Sequence, residues 1–439
     1  MKNIYIFLLG SLLLTTACST DLDQAPPNLA SSDSLTDFEG VLNAAYFYQL
    51  GAVTPMAVMG EFRADNALMF EAPYTEFDLF TQNLTTMEDQ FFAPLYRSLY
   101  KSILSANNVI ENSSNATHVG EAKFLRALAY FKLVLAFGDV TVNLEASPSL
   151  TDTSILVRQP AADVYNNVII PDLTDAISAL GTVIDEGRAS QYAAQGLLGK
   201  VYMHMGNTSA AESQLAAVVN GASAAGISLK SNFADVFGAE NESNNSEIIY
   251  STQILSSIVD EYSFASRFWN WFVGDDSKAD YPVDPDLVAA FDASGAADTR
   301  KAVTLHTDGR TAIKFPKDGG LGSEHDWIEL RLADVILLYA EALNENSNSS
   351  GALVQLNKIR NRAGLANSTA STQVEVRQAI QDERRLELAF EGHRWFDLVR
   401  TNSVNAEMGA TVNPNYHIFP IPTSEIRSTN GVITQNAGY

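Results

Sequence analysis

The chain has 439 residues, 46% of them apolar and 18% charged, which is enough to bury a large core and too apolar for disorder by composition. Its 28 basic and 52 acidic side chains leave a net charge of −24. With no basic stripe to neutralise phosphates, that balance argues against a nucleic-acid partner. The length fits one large α-helical array or two to three ordinary domains.

Residues Met1 to Ala17 have the form of a secretory signal. Lys2 is the charged start and Ile4 to Leu14 the apolar centre, too short to span a bilayer as a helix. Thr15-Thr16-Ala17-Cys18 resembles a bacterial lipobox. Cys18 is the only cysteine, so it has no disulfide partner within the chain. Lipidation there would give the multiple acyl chains that stable membrane attachment needs. Residues 18–33, polar and carrying Pro26-Pro27, read as a lipidated tether.

One domain is expected over 34–439, in three parts: 34–220, 221–321 and 322–439. From Ser34 the pattern turns helical, with Leu35, Phe38, Val41, Leu42, Ala45 and Tyr46 on one face. Residues 51–86 lose that period and read as an exposed, partly structured loop containing GEFRADN and the rings of Phe70, Tyr74, Phe77 and Phe80. Helices resume at FFAPLYRSLYKSILSANNVIEN and at GEAKFLRALAYFKLVLAF. The next, PAADVYNNVIIPDLTDAISAL, should kink or restart at Pro171. Leu198-Gly199-x-x-Tyr202 followed by Ala211-x-x-x-Leu215 has the packing pattern of a tetratricopeptide helix pair. Tyr339 with Ala352-x-x-x-Leu356 repeats it, and Phe124 to Leu135 looks like a third first helix. These repeats are degenerate, because long insertions separate them.

Between Gly221 and Leu321 the helical signal thins. EIIYSTQIL and TAIKFP read as short strands and YPVDPDLVAAFD as a short capped helix. Seven aromatics fall between Tyr262 and Tyr281, where the chain's 10% background would place two. Flat rings can lie against the C–H face of a sugar while polar neighbours take its hydroxyls. Trp269, Trp271, Phe272 and Tyr281 are therefore ligand-binding candidates. A second candidate platform is Tyr74 and Phe77, in the run from Phe70 to Phe80, beside Arg63, Asp65 and Asn66.

Enzyme signals are weak. Glu383, Glu387 and Glu391 step by four along a helix, as paired glycosidase carboxylates could, but Arg384, Arg385, Arg394 and Arg400 lie among them. That mixture points to a structural ion-pair lattice whose carboxylates stay ionised. The six histidines lack the short spacings of a zinc site, and there is no P-loop, nucleophile elbow or EF-hand loop. No catalytic residue, metal or cofactor is expected.

The C-terminal part carries the densest helical wording. Leu332, Val335, Ile336, Tyr339, Ala340 and Leu343 share one face. Ala352, Leu353, Leu356 and Ile359 mark a second helix stopped at Gly364, and Val376, Ile380, Leu386, Ala389 and Phe390 supply a neighbour. The phrases LRLADVILLYAEALNE, LNKIRNRAGL and DERRLELAFEGHRWFDLVR, with the closing HIFPIPTSEI and TQNAGY, resemble the signature of the SusD/RagB family of outer-membrane nutrient-binding lipoproteins.

The resemblance implies a mostly α, tetratricopeptide-like scaffold, a place on the cell surface, and a SusC-like TonB-dependent transporter as partner. It also implies a ligand surface built from an early loop and a middle loop. Captured oligosaccharide is the expected cargo. Peptide, as in the RagB branch, is the alternative, with a surface glycosidase or a ligand-free assembly scaffold behind it.

Overall fold

The computed structural model describes residues 38–149, 151–184, 187–242, 245–254, 268–272, 282–315 and 325–439, the side chains of Ala239 and Trp269 excepted. The expected signal, Cys18 and the tether lie outside them, as do Tyr262, Phe264 and Tyr281 of the aromatic run.

The frame is a stack of antiparallel helix pairs. Helices α1 (Glu39–Phe47) and α2 (Leu50–Glu61) lead into α3 (Ala93–Asn112) and α4 (Ala116–Phe137). Then come α5 (Ile170–Ala179), α6 (Gln191–His204) and α7 (Thr208–Gly221), and, after the middle region with α8 (Pro285–Ser294), α9 (Leu332–Glu345) and α10 (Ser349–Arg362). Each of these helices from α3 onward, α8 apart, packs on the next, α7 meets α9 directly, and α11 (Gln373–Glu387) closes the stack across α9 and α10. The order is that of a solenoid, in which each pair buries its apolar sides on its neighbours.

Local signals explain the boundaries. Ser190, Asn207 and Asn348 cap α6, α7 and α10 by accepting from Ala193, Ala210 and Gly351 backbone N–H groups. Thr372 and Glu375 form a reciprocal capping box on α11. Gly364 follows α10 at φ +84°, the left-handed stop its position suggested. Pro171 stands at the first positions of α5, but the helical backbone runs unbroken into it through a one-turn π-helix at Tyr165–Ile169, so the helix widens for one turn there and does not restart. The tetratricopeptide pattern is physical: a Cβ on Gly199 of α6 would lie 2.5 Å from the Leu215 side chain of α7. Only a missing side chain lets the two axes approach that far.

Two further expectations fail. Residues 50–61 are not an exposed loop but α2, with every residue buried and Pro55 inside it. A helix enclosed on all sides is apolar all round, so it shows no amphipathic period to detect. TAIKFP is not a strand; Ala312 makes only an isolated bridge to Leu305. The strand at EIIYSTQIL does form, as β1 (Ile248–Thr252), antiparallel to β2 (Trp327–Arg331) with Thr252 opposite Trp327 and Ile248 opposite Arg331.

Candidate functional site: the seam of two loops

The early loop begins where α2 ends. Phe62 to Ala67 turn through the interior, and Ala67 then pairs with Val283 of the middle region. Leu68 N–H donates to Pro282 O at 2.7 Å and Asp284 N–H to Asn66 O at 3.0 Å. Asp284 goes on to cap α8 through the Asp286 N–H at 2.8 Å. The two stretches named from sequence, far apart in the chain, are thus sewn together by backbone hydrogen bonds.

The polar trio below this seam is fully occupied. Asp65 receives Arg394 Nε at 2.7 Å and Nη2 at 2.8 Å, with Arg385 Nη2 3.1 Å away. Burial pushes its pKa up, but the Arg394 hydrogen bonds and the two guanidinium charges more than reverse that, and the carboxyl is held below its ordinary range. Asn66 donates to Glu61 Oε2 at 2.9 Å and accepts from Arg385 Nε at 3.0 Å. Arg63 is wholly buried. It donates to Phe77 O at 2.6 Å and Tyr416 O at 3.1 Å, and its guanidinium lies 4.2 Å over the Phe80 ring. Burial pulls it down to about 10, against the attraction of Asp78 and two tyrosines. It ties the early loop to the C-terminal end of the chain and is not open to a ligand.

The rings are mostly interior too, which corrects the expectation of an aromatic ledge at these positions. Trp271 is 4% exposed and meets Phe91 and Tyr74 edge-on at 5.3 and 5.4 Å. Phe272 stacks on Phe62 at 5.7 Å and touches Phe390 at 5.1 Å. Phe77 is buried against Phe91, Phe92 and Phe419. Tyr74 is likewise buried. These rings form an apolar plug under the seam, and each loses its free face to another ring. The backbone of Trp269 lies in a short 3₁₀ turn, Phe268–Trp271.

Among the described residues, the large apolar side chains the seam leaves outward are Phe70, 61% exposed, and Leu79, 57% exposed, on either side of a turn through the cis Ala72–Pro73 bond. Phe70 belongs to the aromatic run singled out from sequence; Leu79 carried no signal beyond being apolar. Asp78 lies between, its carboxyl pushed up to about 7 by burial and by Asp284 against the pull of Arg63. Among the described residues no cluster of histidine, cysteine or carboxylate side chains could hold a metal ion.

The suspected glutamates belong to a buried lattice. Glu383, Glu387 and Glu391, with Glu247 and Asp298, face Arg300, Arg331, Arg360, Arg362 and Lys314. Arg331 donates to Glu391 Oε2 at 2.7 Å, Glu387 Oε1 at 2.6 Å and Glu247 Oε1 at 2.8 Å. Sequence spacing identified the glutamates and named neighbouring arginines. Of those, Arg384 and Arg400 instead share Asp397, and Arg394 serves Asp65. Arg300, Lys314 and Arg331 went unnoticed because they come from other elements.

The SusD family model matches residues 205–417, and a model described as starch-binding associating with outer membrane matches residues 22–203. SusD-like protein P2 of Formosa agariphila is 26% identical over the whole of both chains, and a SusD-like protein of Bacteroides ovatus is 26% identical over 91% of this chain and 82% of its own. Among solved structures, a laminarin-binding SusD-like protein superposes with TM-score 0.76 at 25% identity, covering 92% of this chain and 99% of that one. The surface glycan-binding protein A of Bacteroides fluxus gives 0.77 at 20% identity, covering 92% and 99%. The helix-pair frame, the C-terminal wording and matches that run in tandem through nearly all of the chain agree, and the chain belongs to the SusD/RagB family.

Proposed function

We propose that the protein is a cell-surface glycan-binding lipoprotein, anchored in the outer membrane through Cys18, that captures oligosaccharide at the seam and passes it to a SusC-like TonB-dependent transporter. One observation supports this most: two loops remote in sequence are fixed to each other on a helical frame and, among the described residues, turn the aromatic ring of Phe70 to solvent. Binding surfaces are commonly loops held by such frames. Trp269 and Tyr281 remain proposed ring partners for Phe70. A similar protein binds laminarin, which makes neutral β-glucan the first cargo to try.

The action is capture without bond making. The carboxylates that could have served a glycosidase are paired with guanidinium and ammonium groups in the buried lattice. One or a few exposed rings, each contributing on the order of 1 kcal/mol beyond burial, give modest affinity, which suits a protein that must release its cargo. The test is calorimetric titration of the full chain with laminarin oligosaccharides, a wider glycan array and a peptide pool, with reducing ends assayed alongside. Saturable glycan binding without new reducing ends is expected. Peptide binding with no glycan bound, or sustained production of reducing ends, would overturn the reading.

A further inference from the structure

A pocket of about 290 Å³ opens beside α1 and shares no residue with the seam. Asn43 and Tyr46 of α1, Arg188 in the turn before α6, and Tyr250, Thr252 and Gln253 on or just after β1 form its walls. Its volume falls just below the roughly 300–1,000 Å³ usual for drug-sized ligands, a size suited to a single small ring.

The polar wall is fixed from behind. The Tyr46 hydroxyl donates to Glu121 Oε2 at 2.6 Å and accepts the Ala189 N–H at 2.9 Å. Arg188 lies 4.9 Å over the Tyr46 ring, donates from Nη1 to Asn43 Oδ1 at 2.7 Å, and has its Nε 2.7 Å from Glu121 Oε2. Thr252 Oγ1 donates to Glu329 Oε1 at 2.8 Å. Each of these groups is therefore locked before any ligand arrives, and Glu121 cancels the charge of Arg188.

Two amides remain available at the exposed rim. Among the described residues, neither the Asn43 amide nitrogen nor the Gln253 side chain makes a hydrogen bond. The Gln253 side chain lies over Gly187, where a Cβ would come within 2.3 Å of its Cδ; Gly187 itself is at φ +69°. A glycine at that point is what gives the amide its place. The inner wall is apolar, with Phe47, Leu50 and Tyr250.

We infer that this pocket is a second binding site, taking a single neutral sugar ring. The amides of Asn43 and Gln253 would pair with its hydroxyls and its C–H face would lie on the apolar wall. The wall's neutrality excludes preference for a uronate: its one outward cation is already matched by Glu121. Sugar as the class of ligand rests on the function proposed above; the site itself rests on its own residues.

The test is saturation-transfer NMR on the full chain with glucose, galactose, mannose, xylose and glucuronate, each offered alone. At least one neutral sugar should receive saturation and glucuronate should not. Asn43→Trp, which fills the mouth, should abolish the signal. Gln253→Ala should weaken it about fivefold, the effect of one lost hydrogen bond, and Phe70→Ala should leave it unchanged. Both pocket positions are exposed, so unchanged circular dichroism is expected and is checked for each variant. No transfer to any neutral sugar, or transfer that survives Asn43→Trp, overturns the pocket while oligosaccharide capture at the seam stands. Loss of monosaccharide signal in Phe70→Ala would assign that binding to the seam and overturn the pocket as well.

Discussion

Replacing Glu387 by glutamine tests the buried lattice directly. The side chain on α11 is wholly enclosed, with Arg331 Nη1 at 2.6 Å, Arg300 Nη1 at 3.2 Å and Arg362 also paired to it. Five cations face five anions in the lattice, so Glu387→Gln preserves the shape and leaves one positive charge unmatched in the interior. Removing one partner of a buried ion pair costs about 3–5 kcal/mol. An unfolding entropy near 2.1 cal/mol/K per residue, over about 400 folded residues, converts that to a melting point lowered by about 4–6 °C. Differential scanning calorimetry at neutral pH reads the shift. Adding Arg362→Gln restores neutrality, so the double variant should lose less than the sum of the singles. Acidification supplies an independent sign. Burial raises the Glu387 pKa, but Arg362, Arg331 and Arg300 outweigh it and hold the carboxyl well below its ordinary range. A depressed carboxyl contributes stability above the unfolded value and loses it as pH falls through the folded one. The wild type should therefore lose more stability than Glu387→Gln on acidification. A single variant melting within a degree of wild type, together with additive singles, would refute the reasoning.

Glu61 tests the opposite sign: buried while accepting from Gly392 N–H at 2.7 Å, it is pushed up to about 7, chiefly by burial. Its contribution is whole below the ordinary glutamate range and falls by about 3 kcal/mol as pH rises through 7, so Glu61→Gln should flatten denaturant stability between pH 5 and 8, and an unchanged slope would count against it. Gly60→Ala should give insoluble or strongly destabilised protein, because its Cβ would sit 2.2 Å from the Gly392 carbonyl oxygen, whereas Gly40→Ala, with nothing within 4 Å, should melt at or above wild type. Phe70→Ala should leave melting unchanged and weaken glycan binding about tenfold; Trp271→Ala should instead cost about 3–5 kcal/mol of stability, and the reverse pattern in melting and titration would exchange their roles.

The frame was legible because its signals are local and redundant. Ser190, Asn207 and Thr372 mark helix starts by side-chain oxygens that accept from the first turn, Gly364 marks an end by its left-handed backbone, and the Gly199–Leu215 contact needs only the spacing of two helices. Helix α2 was invisible for the complementary reason: enclosed on every side, LGAVTPMAVMGE has no polar face to set a period. At the site, the meeting of the early and middle loops followed from the family resemblance, and neither stretch alone contains it, since the pairing of Ala67 with Val283 joins residues about half the chain's length apart. Arg63, Asp65 and Asn66 looked like ligand groups because polar side chains in a presumed loop ordinarily face water. Phe77 O and Glu61, from the same stretch folded back on itself, and Arg394, from the C-terminal part, take up their hydrogen bonds instead.

The same property makes an aromatic run ambiguous: a large flat apolar face is equally suited to a sugar and to another ring. What separates the two outcomes is whether the fold offers each ring a partner. Trp271 has Tyr74, Phe91 and Phe62, and Phe272 has Phe62 and Phe390, so both are used up inside. Phe70, one residue past Met69 on a turn through a cis proline, is carried out of that cluster and keeps a free face. The interior rings still bear on binding, because they hold the loop whose tip carries the exposed one, and a ring held in place loses less freedom when a ligand arrives. On this argument the aromatic excess in the sequence measures the anchoring of the seam more than its area, and cargo affinity should respond sharply to the few exposed groups and to the integrity of the plug beneath them.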